Sequence, residues 1–356
     1  METLSQAPAP TLAKKDIRKA SLAELEAFFL AQGDKKFRAG QVRDWIWKKQ
    51  ATSFAGMTNL SQATRDLLDQ HYEFRSLEVD VAQRSNDGTV KSRFRLHDGE
   101  LIEGVLIPQD DRMTACVSSQ VGCSLTCKFC ATGYLDRKRN LEPAEIYDQV
   151  VAIRRQAEEH FQTPLTNIVF MGMGEPLLNY ANVLAAIDRI TADDGLNMAS
   201  RRITVSTAGI AKMIKKLGDD QVKFKLALSL HAANDVKRNQ IMPINETNSL
   251  EALADALKYF YDKSGTRVTY EYIVFNNFND TLQDAEELYQ FCKHVPCKVN
   301  IIEYNPIAQA QEFRNTGPDK LERFRAYLES KHLTVSIRRS RGKDIDAACG
   351  QLAGKK

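Results

Sequence analysis

The sequence predicts an α/β protein: a partial (β/α)6 barrel with a small helical N-terminal domain and a β-meander extension. Three observations predict it. Beyond residue 111, short β-branched runs alternate with helical patterns about six times, the rhythm of parallel β/α units. Before them, period-two runs divided by Asn86-Asp87-Gly88 and Asp98-Gly99 read as three antiparallel strands. Before those, helical segments with cap signals extend to about residue 72. The expected boundaries are 1–72 for the helical domain, 73–110 for the meander, 111–340 for the barrel and 341–356 for a C-terminal tail.

In chain order, residues 1 to about 10 are rich in Ala and Pro and are expected to be disordered. SLAELEAFFLAQG reads as a helix capped by Ser21, with Glu24 three residues on and Gly33 at its end. KKFRAGQVRDWIWKK is a second helical run, basic and aromatic, and a third helix is expected near 60–70. LEVDVAQRS, TVKSRFRLH and ELIEGVLIP supply the meander. MTACVSS, TNIVF, RRITVS, KFKLALS, RVTYEYIV and KVNIIE are the barrel strands, and LTVSIRR is a closing strand. In such folds the site lies at the C-terminal ends of the strands.

The chain has 356 residues, net charge +3, 43% hydrophobic and 27% charged residues, which fits a folded protein with a sizeable core. No run approaches 18 apolar residues, which excludes a membrane-spanning helix. The N-terminus has no apolar segment of the secretory kind, so a cytosolic location is expected. Seven cysteines are too few, and an odd number, for a secreted disulfide framework. Cys116, Cys123, Cys127 and Cys130 fall close together, whereas Cys292, Cys297 and Cys349 are scattered.

Cys123, Cys127 and Cys130 form CxxxCxxC directly after the first barrel strand. Structural zinc would require a fourth ligand, and no histidine lies between His97 and His160. A [4Fe–4S] cluster held by three thiolates keeps one iron open, able to bind a small molecule through amino and carboxylate groups. Three packed thiols or a zinc knuckle is the alternative. Glu103 shares strand parity with Leu101, Val105 and Ile107, so a carboxylate stands on an apolar face, where burial would raise its pKa and suit it to proton transfer. Unaided, Cys116 reads more readily as a small buried hydrophobe, and Cys349 as a bystander in a Gly-flanked tail, than as reactive thiols.

CxxxCxxC with an aromatic before its last Cys, after strand one of a partial barrel, resembles the radical S-adenosylmethionine (SAM) superfamily. CVSSQVGCSLTCKFCATG, FMGMGEPLLN, LSLHA, IMPIN and DIDAACGQL together resemble the adenosine carbon-2 methyltransferases of 23S ribosomal RNA and tRNA, over nearly the whole chain. The resemblance implies methylation of one adenosine in the peptidyl-transferase centre and one next to the tRNA anticodon. It implies a [4Fe–4S] cluster on Cys123, Cys127 and Cys130 and two SAM molecules per turnover. Gly174, Glu175, Ser206, Ser229, Leu230, His231 and Asn305 would line the SAM pocket, the Gly172–Glu175 turn admitting close backbone approach and Glu175 accepting from the SAM ammonium.

Carbon 2 of adenine lies between two ring nitrogens and is too electron-poor to attack SAM as a nucleophile, so a radical route is required. By the resemblance, Cys349 accepts a methyl, a 5′-deoxyadenosyl radical takes a hydrogen from it, and the carbon radical adds to the base. Cys116 then attacks Cys349, giving a disulfide and free methylated RNA, while Glu103 accepts a proton. Cys292 and Cys297 match no motif and are expected to be structural thiols.

Residues 35–49 and 331–343 each carry a local charge of +5, and Arg137-Lys138-Arg139 follows the cysteine loop, so phosphate contacts are expected there, with the helical domain docking RNA. An adenosine entering a barrel must leave its stack or come from a loop. A flavodoxin or ferredoxin is the expected electron donor, and a monomer the expected state. The rival readings are a carbon-8 adenosine methyltransferase of the antibiotic-resistance type and a radical SAM enzyme with a non-RNA substrate. Carbon-8 enzymes read SSQCGC and GEA and lack the RSRG-like run; this chain has Val121, Pro176 and Arg339-Ser340-Arg341-Gly342. A non-RNA substrate would leave Cys116 and Cys349 unexplained.

Overall fold

The computed structural model describes residues 14–354; the expectation for residues 1 to about 10 lies outside them. The chain forms two compact units. One ends at Ser76 and takes in Asp193–Leu196; the other comprises Leu77–Ala192 and the chain from Asn197 onward. The division falls four residues past the expected 72, because a short parallel pair, Lys15–Asp16 (β1) with Tyr72–Glu73 (β2), ties the ends of the helical unit together.

In that unit Leu22–Ala31 (α1) begins with the expected capping box, Ser21 accepting from Glu24 N and Glu24 from Ser21 N. Phe37–Arg43 (α2) runs on through a wider turn, Asp44–Lys48, which buries Ile46 and Trp47 while Phe37 stays exposed. Gln62–His71 (α3) buries Thr64 and Leu68.

The second unit is built on one ten-stranded sheet. Glu78–Arg84 (β3), Val90–Arg95 (β4) and Leu101–Gln109 (β5) form the antiparallel meander, and β5 pairs with Arg112–Cys116 (β6). β6 is also the first strand of the parallel array, so meander and barrel are continuous and no boundary falls at 110. Gln120–Val121 (β7) and Arg139–Asn140 (β8) pair separately and frame the cysteine loop. After Pro143–Phe161 (α4), the array continues through Asn167–Phe170 (β9), Ile203–Thr207 (β10), Lys225–Ser229 (β11), Val268–Ile273 (β12), Cys297–Ile302 (β13) and Val335–Arg338 (β14). All six barrel runs and the closing strand therefore form. β14 and β6 are not neighbours, so the barrel is partial.

Tyr180–Thr191 (α5), Ala211–Asp219 (α6), Asp235–Ile241 (α7), Leu250–Ser264 (α8), Leu282–Cys292 (α9) and Pro318–Ser330 (α10) are the helices between these strands. Every residue of β12 is buried, including Thr269 and Glu271, and Glu271 accepts from Asn300 on the neighbouring strand. Among the described residues no helix is long and apolar enough to cross a membrane.

Candidate active site

The loop after β7 carries the three cysteines. Cys130 N donates to Cys127 O, Gly133 N to Cys130 O, and Lys128 N to Ile241 O, so the loop is pinned to itself and to the end of α7. Side chains would not fit at two of its glycines. A Cβ on Gly122 would stand 2.1 Å from Asp136 O, and one on Gly133 2.7 Å from Cys127 O. The thiols pack against an apolar cluster that includes Phe129, Met242, Phe275 and Tyr304. Burial pushes all three thiols up, Cys123 to about 11, and Cys127 further through the two neighbouring sulfurs. Three thiols that resist ionisation in apolar surroundings suit a group whose positive charge stabilises the thiolates on binding.

Among the described residues no three His, Cys, Asp or Glu side chains stand close enough to hold one metal ion. A [4Fe–4S] cluster takes each thiolate on a separate iron, so its thiols need not converge on one centre as the ligands of zinc do. The cysteines open on a cavity of about 160 Å³, shared with Gly172, Gly174 and Glu175. Ser206, Ser229, His231, Asn305 and Cys349 face the same space. The mixture of apolar wall with a few polar groups suits a bound cofactor.

The Gly172–Glu175 turn lies against Val117–Gln120. Ser119 N donates to Met173 O, Met173 N to Ser118 Oγ, and Glu175 N to Gln120 Oε1. A Cβ on Gly174, at φ +93°, would meet Gln120 Cβ at 2.4 Å, and one on Gly172 would meet Ser118 Oγ at 2.7 Å. The close backbone approach expected of these glycines is thus to the chain itself. It brings the β9 turn against the segment leading to the cysteines. Glu175 is buried, and its oxygens accept from Leu177 N at 3.0 Å and Ala208 N at 2.7 Å. Burial raises its carboxyl pKa and those N–H groups oppose the rise. The Thr207 hydroxyl also hydrogen-bonds the carboxylate, which still keeps a further acceptor position.

Ser206 and Ser229 end β10 and β11 with hydroxyls 3.3 Å apart. His231 Nδ1 accepts from Ile273 N, which leaves the ring proton on Nε2. Burial and the Arg238 cation pull its pKa down to about 3, so the ring is neutral. Asn305 donates to Cys349 O at 3.1 Å, fastening the tail at the thiol-bearing residue. Leu230 is buried but does not line the cavity; its N–H bonds Glu271 O and its carbonyl accepts from Arg238 Nε.

Arg238 is the residue that sequence reasoning missed. Fully buried, it donates to Leu230 O, Ala208 O, Ser229 O and Asn245 Oδ1, joining the ends of β10 and β11 behind the cavity. Nothing in the polar run 233–240 between LSLHA and IMPIN sets Arg238 apart from its neighbours in the sequence.

Cys116 lies outside this space, in an adjoining cavity that Cys349 also lines. Burial and the nearby Cys349 sulfur raise the Cys116 thiol well above its ordinary pKa. Cys349 is exposed as a residue, yet its thiol is pushed up to about 11 by the protein around it. Glu103 lines neither cavity. It is buried under the tail, Oε2 accepting from Ala353 N at 2.8 Å and Gly354 N at 3.2 Å, with Lys91 Nζ 3.9 Å from Oε1. Parity put it on an apolar face; the tail turns that face into a polar clasp. Of the basic run after the loop, Arg139 is already paired with Asp98 and Glu145, and Lys138 with Glu100. Cys292 and Cys297 are buried together where α9 leads into β13.

Residues 15–74 match the ribosomal RNA large subunit methyltransferase N-terminal domain, and residues 117–292 match the radical SAM superfamily. The chain is 65% identical to the probable dual-specificity RNA methyltransferase RlmN of Cytophaga hutchinsonii, covering 98% of this chain and 96% of that one. Identity to the dual-specificity RNA methyltransferase RlmN of Geobacter sulfurreducens is 45%, over 96% and 92% of the two chains. The crystal structure of a radical SAM methyltransferase from Sphaerobacter thermophilus superposes with a TM-score of 0.90 at 38% identity, covering 96% of this chain and all of that one.

Proposed function

The chain belongs to the RlmN family of dual-specificity RNA methyltransferases within the radical SAM superfamily, and from that premise we infer how its own residues carry out the reaction. It is a radical SAM RNA methyltransferase acting on carbon 2 of adenosine in ribosomal RNA and tRNA. The peptidyl-transferase centre of 23S rRNA and the position next to the tRNA anticodon are the proposed targets.

Cys123, Cys127 and Cys130 hold the [4Fe–4S] cluster that the superfamily implies. Bound there with SAM, the cluster supplies a 5′-deoxyadenosyl radical, and SAM also supplies the methyl group, two molecules being used per turnover. Glu175 receives the SAM ammonium on its free acceptor position, and neutral His231 offers Nε2–H without adding charge. Ser206, Ser229 and Asn305 complete the pocket, and Asn305 also orients Cys349 through its carbonyl.

Cys349 Sγ carries the methyl carbon to the base and remains bonded to it after addition. Glu103 takes the proton from carbon 2 once the tail has withdrawn its N–H groups from Oε2, and the unpaired electron of the adduct would return to the oxidised cluster. Cys116 Sγ then attacks Cys349 Sγ. The S–S bond forms, the S–C bond breaks with its electron pair on carbon, and a proton completes the methyl group. A flavodoxin- or ferredoxin-type protein supplies electrons. The enzyme works as a monomer in the cytoplasm, with the helical unit docking RNA.

The observation that carries this reading is the position of Cys349, on the wall of both the thiol-lined cavity and the one holding Cys116. Anaerobically reconstituted enzyme with trideuterated-methyl SAM, 23S rRNA and tRNA, followed by mass spectrometry of digested RNA, tests it. Product methyl at carbon 2 with two of the three deuteriums is expected; retention of all three would mean direct transfer and overturn the cysteine-carried route.

A further inference from the structure

The cavity that holds Cys116 differs in kind from the thiol-lined one. Cys116 stands directly across the β5–β6 ladder from Val105, and Ile107 and Gln109 continue the same wall along β5. Gln109 is four residues beyond Val105, so it lies roughly 13 Å further along the strand. Ile302, Ile337 and Met171 supply further apolar surface. Arg338 at the end of β14, with Arg339 and Arg341 just after it, supplies cations, and no acidic residue lines the cavity.

Several other arginines of this unit are spoken for: Arg139 by Asp98 and Glu145, Arg93 and Arg95 by Asp80. Among the described residues, by contrast, Arg338, Arg339, Arg341 and the Gln109 carboxamide make no side-chain hydrogen bond or ion pair. Arg338 acts on the buried Glu271, and Arg339 on Glu303, only at longer range. An apolar slot with an unread carboxamide, unpaired guanidiniums and no carboxylate is complementary to a purine nucleotide and its phosphates.

We propose that this cavity seats the target nucleotide, with Arg338 and Arg341 gripping its flanking phosphates and Gln109 reading the N6/N7 edge of adenine. The proposal rests on the RNA methyltransferase reading above and adds the residues that orient the base. Carbon 2 lies across the ring from the N6/N7 edge, so a base held there by Gln109 directs carbon 2 along β5 toward Cys116 and Cys349. Carbon 8 adjoins N7 and stays at the wrong end. Gln109 is thereby a specificity residue for carbon 2 against carbon 8.

The test uses reconstituted holoenzyme, a tRNA transcript, and the same RNA with 7-deazaadenosine at the target position. Arg338→Ala and Arg341→Ala are expected to keep Cys349 self-methylation, which needs no RNA. They should weaken RNA binding and flatten its dependence on salt by about 0.7–0.9 per lost phosphate contact. Gln109→Ala is expected to lower kcat/KM on adenosine roughly 5- to 100-fold, the range for losing a bidentate base contact. It should also become indifferent to 7-deazaadenosine, which penalises the wild type. Arg341→Ala decides the phosphate contact if Arg338→Ala fails to fold. Wild-type salt slopes in the arginine variants, or an undiminished 7-deaza penalty in Gln109→Ala, overturn the proposal while the function stands. A wild-type enzyme that leaves both RNAs unmethylated overturns the function itself.

Discussion

Arg238 and Arg338 belong to the two cavities that share Cys349, and they are built into the molecule in opposite ways. Arg238 is fully buried behind the thiol-lined cavity, and its guanidinium is consumed by three carbonyls and the Asn245 side chain. Arg338 borders the Cys116 cavity, half-buried, with no hydrogen bond to its guanidinium among the described residues. A cation whose donors are all satisfied holds the fold together, because removing it strands buried acceptors. One whose donors are unused is available to an anionic partner. The same contrast runs through the cavity walls: Glu175, His231 and Asn305 of the first are bonded to nearby backbone, whereas Gln109 and the arginines of the second make no side-chain hydrogen bond among the described residues.

The largest effect belongs to the residue common to both. Cys349→Ala should abolish self-methylation and RNA methylation together, read by mass spectrometry of protein and RNA; surviving RNA methylation would separate the two cavities functionally. Cys116→Ala should leave the first cavity's work intact and stall the second's, trapping RNA on the protein as a band that resists denaturing gels. In the wild type, release from that adduct should quicken with pH, up to tenfold per unit, because the Cys116 thiol is held above its ordinary pKa and only the thiolate attacks.

Smaller effects separate architecture from binding. Arg238→Met should cost roughly 3 kcal/mol or more in urea unfolding, since several buried acceptors lose their donor at once. His231 belongs to the same bonded wall. Its folded pKa is lowered to about 3, so the unfolded chain takes up the proton first as pH falls. Its stability contribution is therefore complete above about pH 6.5 and declines toward pH 3, by about 1.4 kcal/mol per unit. The stability gap between wild type and His231→Gln should narrow by about 1 kcal/mol between pH 6.5 and 5.5, because half of the unfolded imidazoles are already protonated at pH 6.5. Arg338→Met should shift unfolding by no more than about 0.5 kcal/mol. A larger loss would make Arg338 structural and erase the contrast with Arg238.

Local chemistry explains what was legible in the sequence. Cap signals, alternation and β-branched runs reported the helices of the N-terminal unit, the meander and all seven parallel strands, because each is set by neighbours a few residues apart. CxxxCxxC and Gly-Met-Gly-Glu were legible as motifs. Why the glycines are required was not: Gly172 and Gly174 abut Ser118 and Gln120, more than 50 residues away in the chain. Glu103 shows the same limit. Parity identified a carboxylate on an inward face, but its partners, Ala353 N and Gly354 N, come from the far end of the chain.

The sequence by itself determined the strands and the family and marked the candidate cluster ligands, since these are written in short-range pattern and motif. Only the tertiary structure decided that Cys349 stands between two cavities, that the tail closes over Glu103, and which arginines remain unpaired. Those outcomes depend on which distant groups find each other on folding, and a charge reads the same in a sequence whether or not its partner has been found.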